Sequence, residues 1–444
     1  MSDPLIQSSE NKLAKQIRNF SKERYLCADW AEREWHSVWK KCWQAAVPVC
    51  DLREPGDYGV YTVGRESVLV TRTDAGAIKA FYNVCSHRGV RLVDGRCGHA
   101  QNFRCPYHSW RYDNAGALVH VPDAETFPEG VPAERLSLKE VRCEVRLGFA
   151  WIALDPEVEP IDDYLEDVIP LLQHYEFENM TLMLDQTVSV NCNWKAVHDN
   201  FSELYHVHYL HPQHRRFVDC TAATSELYPR GHTRVLVPGG TTDSLFTMPE
   251  EPTELLALQL RALGLAPEDF EGRVGDVQQA LRQAKRKLGE QVDYYNNFSD
   301  EELTDVYQTN VFPNAIFSYQ PEMLWLIRVR PHATDPNRCY LDKLSFERFP
   351  EEGDKYFYEG ALDTSDAGTD RATLLDQTRA PHDSFDYQDV IEGRKTMTDT
   401  IDQDLSLLAH AQQGMQSEGF QDLWLNEIEC RVAHFHERLD EYMK

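Results

Sequence analysis

Two short ligand pairs constrain this chain more than any other feature. Cys85-Ser86-His87 and Cys105-Pro106-Tyr107-His108 stand with 17 residues between them. For both pairs to reach one ion or cluster, the chain must double back so that two loops converge. The flanking residues suit that requirement. Tyr58–Val63, Ser67–Arg72 and Ala77–Val84 read as short strands, separated by the turn signals Gly64-Arg65 and Asp74-Ala75-Gly76. Val141–Leu154 reads as a further strand region broken at Gly148. Thiolates with imidazoles suit either structural zinc or an iron–sulfur cluster, and the spacing alone leaves both open. The other cysteines, Cys97 and Cys143 among them, read as buried free thiols.

A second constellation follows at 193–214. Five histidines, His198, His206, His208, His211 and His214, fall beside Asp199 and Glu203 on a polar stretch expected to be helical over about 193–211. One histidine on a helix is ordinary; five together with carboxylates point to a metal. Spacing leaves several pairs open, His208 with His211 included. Residues five apart do not share a clean helix face, so a His206/His211 pair requires the helix to bend or end near His211, where Pro212 stands. Glu203, three residues before His206, shares its face.

Composition narrows the class. The chain has 444 residues, enough for two or three domains. Its 45 basic and 73 acidic residues leave a net charge of −28, which argues against nucleic-acid and anionic-membrane partners. No run of 18 apolar residues is present, and Met1–Gln7 lacks the pattern of a signal peptide. Eleven scattered cysteines, an odd number, read as a reduced, cytoplasmic chain.

The letters around both constellations carry a resemblance. Cys85-Ser86-His87-Arg88-Gly89 and Cys105-Pro106-Tyr107-His108-Ser109-Trp110 resemble the two loops of a Rieske [2Fe–2S] domain, in which two cysteines hold one iron and two histidines the other. Respiratory-chain Rieske proteins carry an extra cysteine in each loop; Val90 and Tyr107 stand there instead, so the resemblance is to the oxygenase type. Ser109 departs from the glycine usual in that family. Asn193-Trp194-Lys195, then Asn200-Phe201, Glu203, Tyr205-His206 and His211, resemble the mononuclear iron motif of Rieske non-haem iron oxygenase α subunits, the catalytic subunits of aromatic-ring-hydroxylating dioxygenases. Asp404, followed in phase by Leu407, Gln412, Gly414 and Ser417, resembles that family's carboxylate helix, with Asp399 and Asp402 as competitors.

The resemblance implies the following. Cys85, His87, Cys105 and His108 hold a [2Fe–2S] cluster. His206, His211 and Asp404 hold Fe(II). Glu203 carries electrons between subunits, or else orients His206 or His211; Asn200 and Tyr205 support the ligands. His198, His208 and His214 fall to surface, pocket wall or subunit contact. The fold is α+β: N-terminal helices at 1–45, a Rieske all-β domain at 46–158, and a helix-grip (START/Bet v 1-like) catalytic domain with an antiparallel sheet at 159–444. The activity is that of an NAD(P)H-dependent oxidoreductase acting on O2 and a small organic substrate, by ring dihydroxylation, monohydroxylation or oxidative N- or O-demethylation. A non-catalytic electron carrier is the reading from another class. The partners are a separate reductase or ferredoxin, two further copies in a homotrimer, and in some members a β subunit.

Local patterns add detail. Two helices are expected over 11–45, the second with a Leu26, Trp30, Val38, Trp39, Cys42 stripe and an Asp29/Glu32 capping box. Helix is expected at 160–175, a strand at Thr181–Val190, helices at Thr253–Leu263 and Val277–Leu288, another beginning at Ser299 with Glu302, strands over Val311–Val329 and Arg338–Glu347, and helices at about 386–413 and 422–442. The block 245–307 is a candidate lid or oligomer insert, and the acidic stretch 350–404 a solvated face. Arg88, Arg91, Arg96, Arg104 and Arg111 face Asp94 alone within Cys85–Tyr112; they either dock an acidic electron donor or brace the cluster loops. Leu245, Phe246, Met248, Phe312, Ile316, Phe317, Tyr319, Leu324 and Leu326 are apolar pocket candidates. With no evident cationic clamp, the expected substrate is a hydrophobic or aromatic ring.

Overall fold

The computed structural model describes residues 5–7, 18–348 and 380–444. Residues 11–17 of the first expected helix and 349–379 of the acidic stretch lie outside the described residues.

Alternation of apolar side chains builds two sheets. The first holds seven strands, in the order Gln44–Pro48, Phe149–Ala153, Glu140–Arg146, Ile78–Tyr82, Glu66–Arg72, Asp57–Val63 and Cys97–His99. A three-stranded sheet of Asn102–Arg104, Arg111–Asp113 and Leu118–His120 lies with it. This is the expected small β domain, and it presents both ligand loops at one end. The second sheet holds nine strands: Leu5–Gln7, Thr224–Leu227, Thr233–Val237, Val306–Val311, Ala315–Gln320, Met323–Pro331, Cys339–Glu347, Thr181–Val190 and His382–Asp386. Every neighbour is antiparallel except the last pair.

The faces of the large sheet have different partners. Cross-strand register puts Thr309, Phe317 and Leu326 on one face. There Phe317 meets Phe149 and Trp151 of the small domain. Arg328 on this face donates to the carbonyls of Ala45 and Ala46, and both it and Arg330 pair with fully buried Asp342. A buried charge survives when it is paired and hydrogen-bonded; this group ties the domains together. The opposite face, carrying Gln308, Asn310, Ile316 and Ser318, receives Trp194–Asn200, Asp399–Met415 and the C-terminal helix Cys430–Tyr442. Asn310 donates to Ser202 and Lys343 to the Met397 carbonyl.

Several local expectations are corrected. Of the two helices expected over 11–45, the second appears as Glu23–Leu26 and Ala28–Glu34 followed by a wide π turn at Trp35–Trp39. Arg18–Ser21 is instead a strand paired with Asp422–Leu425, so the last expected helix begins only at Cys430. The Asp29/Glu32 capping box is absent: Cys27 precedes that helix, and Glu32 binds Arg65 and His36. Ser299 and Glu302 do exchange capping-box hydrogen bonds of 2.8 and 3.2 Å, but only turns follow. The segment 160–175 forms short turns of helix, and the run from 386 splits into Tyr387–Ile391 and Asp399–Met415.

Candidate metal centres

Each ligand loop of the small domain closes in the same way. The Gly89 amide donates to the Cys85 carbonyl at 3.0 Å, and the Ser109 amide to the Cys105 carbonyl at 3.1 Å. Both closing residues have positive φ, 75° and 61°. That is the left-handed region glycine enters freely and serine enters at a cost. The Ser109 hydroxyl accepts from Arg104 at 2.8 Å. Cys85 and Cys105 are each 2 % exposed, and burial raises the Cys85 thiol, with Tyr112 beside its sulfur at 3.4 Å. His87 and His108 lie outermost, ring centroids 4.6 Å apart, and His87 stacks on Trp110 at 4.7 Å. Two buried thiols under two outward imidazoles fit a cluster held by sulfur on the inside and nitrogen on the outside.

Three of the five arginines brace the loops. Arg96 reaches Asp185 of the large sheet at 3.4 Å, Arg88 reaches the Tyr107 hydroxyl and ring, and Arg104 holds Ser109.

At the large sheet, Trp194–Asn200 starts at Asn193, whose side chain caps the Lys195 amide at 3.0 Å. It breaks after Asn200, and a short helix Val207–Leu210 ends at His211. Ser202 bonds back to the His198 carbonyl at 2.6 Å, a contact that competes with helix continuation. Because the helix stops at Leu210 and His211 leaves it (φ −117°, ψ 68°), residues five apart converge. His206 Nε2 lies 3.5 Å, and His211 Nε2 3.0 Å, from Asp404 Oδ1. One donor atom from each of the three lies within 4.8 Å of the other two. His211 Nε2 and Asp404 Oδ1, though close, make no hydrogen bond of sound geometry with each other or with any other group, and both are buried. Buried polar atoms are almost always satisfied, so this pair marks a place for a cation. Two imidazoles and one carboxylate on one side of a site are the donor set for ferrous iron with open positions.

Neighbouring side chains fix the rings. Glu203 binds His206 Nδ1 and accepts from the His206 amide at 3.2 Å. Gln403 accepts from His211 Nδ1 at 2.6 Å and is held by Gln213 at 3.0 Å. Each Nδ1 is thereby engaged and each Nε2 left for the metal. Burial lowers His206, but the Glu203 hydrogen bond and the Glu203 and Asp404 charges outweigh it and raise its pKa.

The competing residues have other roles. Asp402 caps Thr396 and Met397 at 2.6 and 2.8 Å, and Asp399 is exposed. His208 binds Asp243 at 2.7 Å, His214 binds Thr400 at 2.8 Å, and buried His198 stacks on Phe435. Tyr205 turns its side chain outward, 47 % exposed. Gln403 escaped the sequence reading, although its place beside Asp404 on the carboxylate helix was the available signal.

Residues 177–444 match the family model of the ring-hydroxylating α subunit catalytic domain. The chain belongs to that family. Residues 42–138 match the Rieske [2Fe–2S] domain, so the cofactors of this α subunit are a [2Fe–2S] cluster and mononuclear iron. The large oxygenase component of the 2,4-dinitrotoluene dioxygenase system of Burkholderia sp. (strain RASC) is 34 % identical over 186 residues, 40 % of this chain and 41 % of that one. The glycine betaine monooxygenase oxygenase subunit of Pseudomonas aeruginosa (strain UCBPP-PA14) is 28 % identical over 213 residues, 48 % and 49 %. The sequence matches thus span about two fifths to a half of these relatives. Among solved structures, naphthalene 1,2-dioxygenase with indole bound superposes with a TM-score of 0.69 at 19 % identity, covering 98 % of this chain and 95 % of that one. A quaternary ammonium Rieske monooxygenase with L-carnitine gives 0.66 at 18 %, covering 96 % of each. The α+β fold of a Rieske domain followed by a catalytic domain is therefore shared along nearly the whole chain.

Proposed function

We propose that this chain is the terminal oxygenase of a multicomponent system and hydroxylates a small organic substrate with O2. The observation that carries the reading is the His206, His211, Asp404 set, whose buried Nε2 and Oδ1 atoms lack partners. In this reading Cys85, His87, Cys105 and His108 hold the cluster. When bound, the cluster supplies one-electron storage and the ferrous ion an open face for O2. The chain's own residues do the rest. Glu203 and Gln403 hold the Nδ1 sides of His206 and His211 so that both Nε2 atoms face one point, and Asp404 balances the charge placed there. Oxidative N- or O-demethylation is a second reading, favoured by the glycine betaine monooxygenase subunit among the relatives.

Electrons come from a separate NAD(P)H-dependent reductase or ferredoxin, since no dinucleotide fingerprint is present in the sequence. We further propose a head-to-tail homotrimer in a reducing, cytoplasmic setting. Val84 and Tyr107 are 39 % and 54 % exposed beside His87 and His108, and Tyr205 and Tyr209 are 47 % and 74 % exposed beside Glu203. Exposed apolar groups of this kind suit subunit contacts, and Glu203 then lies where a neighbour's histidine would meet His206. All eleven cysteines are free, and among the described residues no helix is long and apolar enough to cross a membrane.

The block 245–307 serves as a wall beside the site. Its helices Glu254–Ala262 and Val277–Leu288 share a core with Phe217, Val235 and Val237. The first of them closes one side of a cavity of ≈ 390 Å³ lined by Gln213, Arg215, Phe246 and Leu255 among others. The test is reductase-driven O2 uptake. Wild type consumes O2, and His211→Ala loses that uptake while the reduced cluster keeps its EPR signal. Unchanged uptake in His211→Ala would make the chain an electron carrier.

A further inference from the structure

Among the apolar pocket candidates, Phe317, Tyr319, Leu324 and Leu326 lie on the sheet face turned to the small domain and are core. Phe246 instead lines the ≈ 390 Å³ cavity beside the helix Glu254–Ala262. Near it in sequence, Leu245 and Met248 are 66 % and 41 % exposed.

Much of the remaining lining is polar and basic. The turn Pro212–Arg216, directly after His211, supplies Pro212, Gln213, Arg215 and Arg216, and the start of the helix supplies Thr253, Glu254 and Leu255. Neither arginine is spent on a carboxylate. Arg215 donates its Nε and Nη2 to the His208 carbonyl and lies over the Phe246 ring at 4.9 Å, which leaves Nη1. Arg216 is exposed. Among the described residues no carboxylate oxygen comes within 4.0 Å of either, and Glu254 is held by Arg261 at 2.6 Å. Guanidinium groups donate to carboxylates in charge-assisted pairs, and a cavity of this size with an aromatic and an aliphatic wall suits a small ligand.

The cavity touches the metal set from behind. Gln213 donates to Gln403 Oε1 at 3.0 Å, and the same oxygen accepts from His211 Nδ1 at 2.6 Å. Arg215 holds the carbonyl of His208, two residues beyond His206. The lining thus includes supports of both histidines, while His206, His211 and Asp404 are not part of it. A molecule bound there acts on the metal site as an effector, without being the group oxidised.

We propose that this cavity binds a small organic acid, its carboxylate on Arg215 and Arg216 and its apolar body on Phe246 and Leu255. The bound acid fixes the Pro212–Arg216 turn, so that Gln213 and Gln403 keep His211 aimed at the iron. Gln213 is a positioning residue in this scheme. The effect on iron rests on the oxygenase reading; the binding does not. Coupling between two sites is reciprocal, so the acid tightens iron and iron tightens the acid.

The test is calorimetry on the cluster-loaded protein, with and without Fe(II). The probes are benzoate and hexanoate, each against its alcohol, and inorganic phosphate. Wild type is expected to bind at least one acid about five-fold or more tighter than its alcohol and than phosphate, with or without Fe(II). Arg216→Gln, at an exposed side chain, is expected to fold and to bring that ratio to about one with alcohol binding unchanged. Fe(II) retention against a chelator should rise about five-fold at saturating acid, and Gln213→Leu should keep the acid and lose that rise. Acid and alcohol bound alike, phosphate bound as tightly as the acid, a preference that survives Arg216→Gln, or iron retention unmoved by bound acid would overturn the proposal. Reductase-driven O2 uptake without added acid is followed alongside. If acid binding fails while uptake persists, the effector proposal alone is lost; if the acid binds and uptake is absent, the oxygenase reading falls and the binding site stands.

Discussion

Asp404→Asn is the sharpest perturbation of the mononuclear site, because it keeps the size of the side chain and removes only its charge. Asp404 is 2 % exposed at its side chain, and its Oδ1 stands 3.0 and 3.5 Å from the two Nε2 atoms. Among the described residues no other carboxylate takes that place, since Asp402 is spent on capping and Asp399 is exposed. Removing a group that merely orients a metal ligand costs about 10- to 100-fold in affinity. Removing the only anionic ligand should exceed the upper end of that range, or more than about 2.7 kcal/mol at 1.36 kcal/mol per decade. At a loading that just fills the wild-type site, iron should fall from about three atoms per chain to about two, the pair that belongs to the cluster. The assay is iron content with the EPR intensity of the reduced cluster on the same sample. Asp402→Asn is the control, expected to lose stability and keep iron. Asp404→Asn that retains its third iron would refute the reasoning, as would loss of the cluster signal in parallel.

Three other outcomes are expected. Glu203→Gln should keep both metals, yet lower turnover about 10- to 100-fold, measured as reductase-driven O2 uptake; unchanged uptake would remove Glu203 from the account. His232 is fully buried, donates to the Tyr164 carbonyl at 2.8 Å and accepts from the Phe312 amide at 3.1 Å, and burial lowers it to about 4. The unfolded chain therefore takes up its proton first as pH falls below about 6.5, and stability drops between there and pH 4, by about 2 kcal/mol at pH 5; denaturant titrations at pH 7.5 and 5 should show this, with a shallower drop in His232→Asn. Ser109→Gly relieves the left-handed backbone of its loop and should raise stability by up to about 1 kcal/mol with the cluster retained, and a clear loss in the same titration would contradict that.

What was legible in the sequence was what short spacing encodes. The cluster loops, the strand alternation around them and the Thr181–Val190 strand follow from local pattern, and all appear within a residue or two. The helix end at His211 was legible too, because residues five apart cannot share a face, but the break over 201–206 inside the helix expected at 193–211 was not. The misses are long-range. Arg18–Ser21 pairs with Asp422–Leu425 some 400 residues later, and no local period announces such a partner. Which face of a strand meets which layer is also invisible locally, so the apolar candidates around Phe317 were drawn from the core side. Arg215 and Arg216 stood in plain view beside the histidines, but only the fold gathers them with Phe246 and Leu255 around one cavity.

The most direct test of the central claim is the isotopic composition of product formed under 18O2, with reductase, NADH, Fe(II) and a panel of organic acids, aromatic hydrocarbons and methylated amines. The account predicts product carrying one or two labelled oxygen atoms, or a demethylated product with label in the released fragment, and none from Asp404→Asn. Product whose new oxygen comes only from water, or product formed equally by Asp404→Asn, would contradict it.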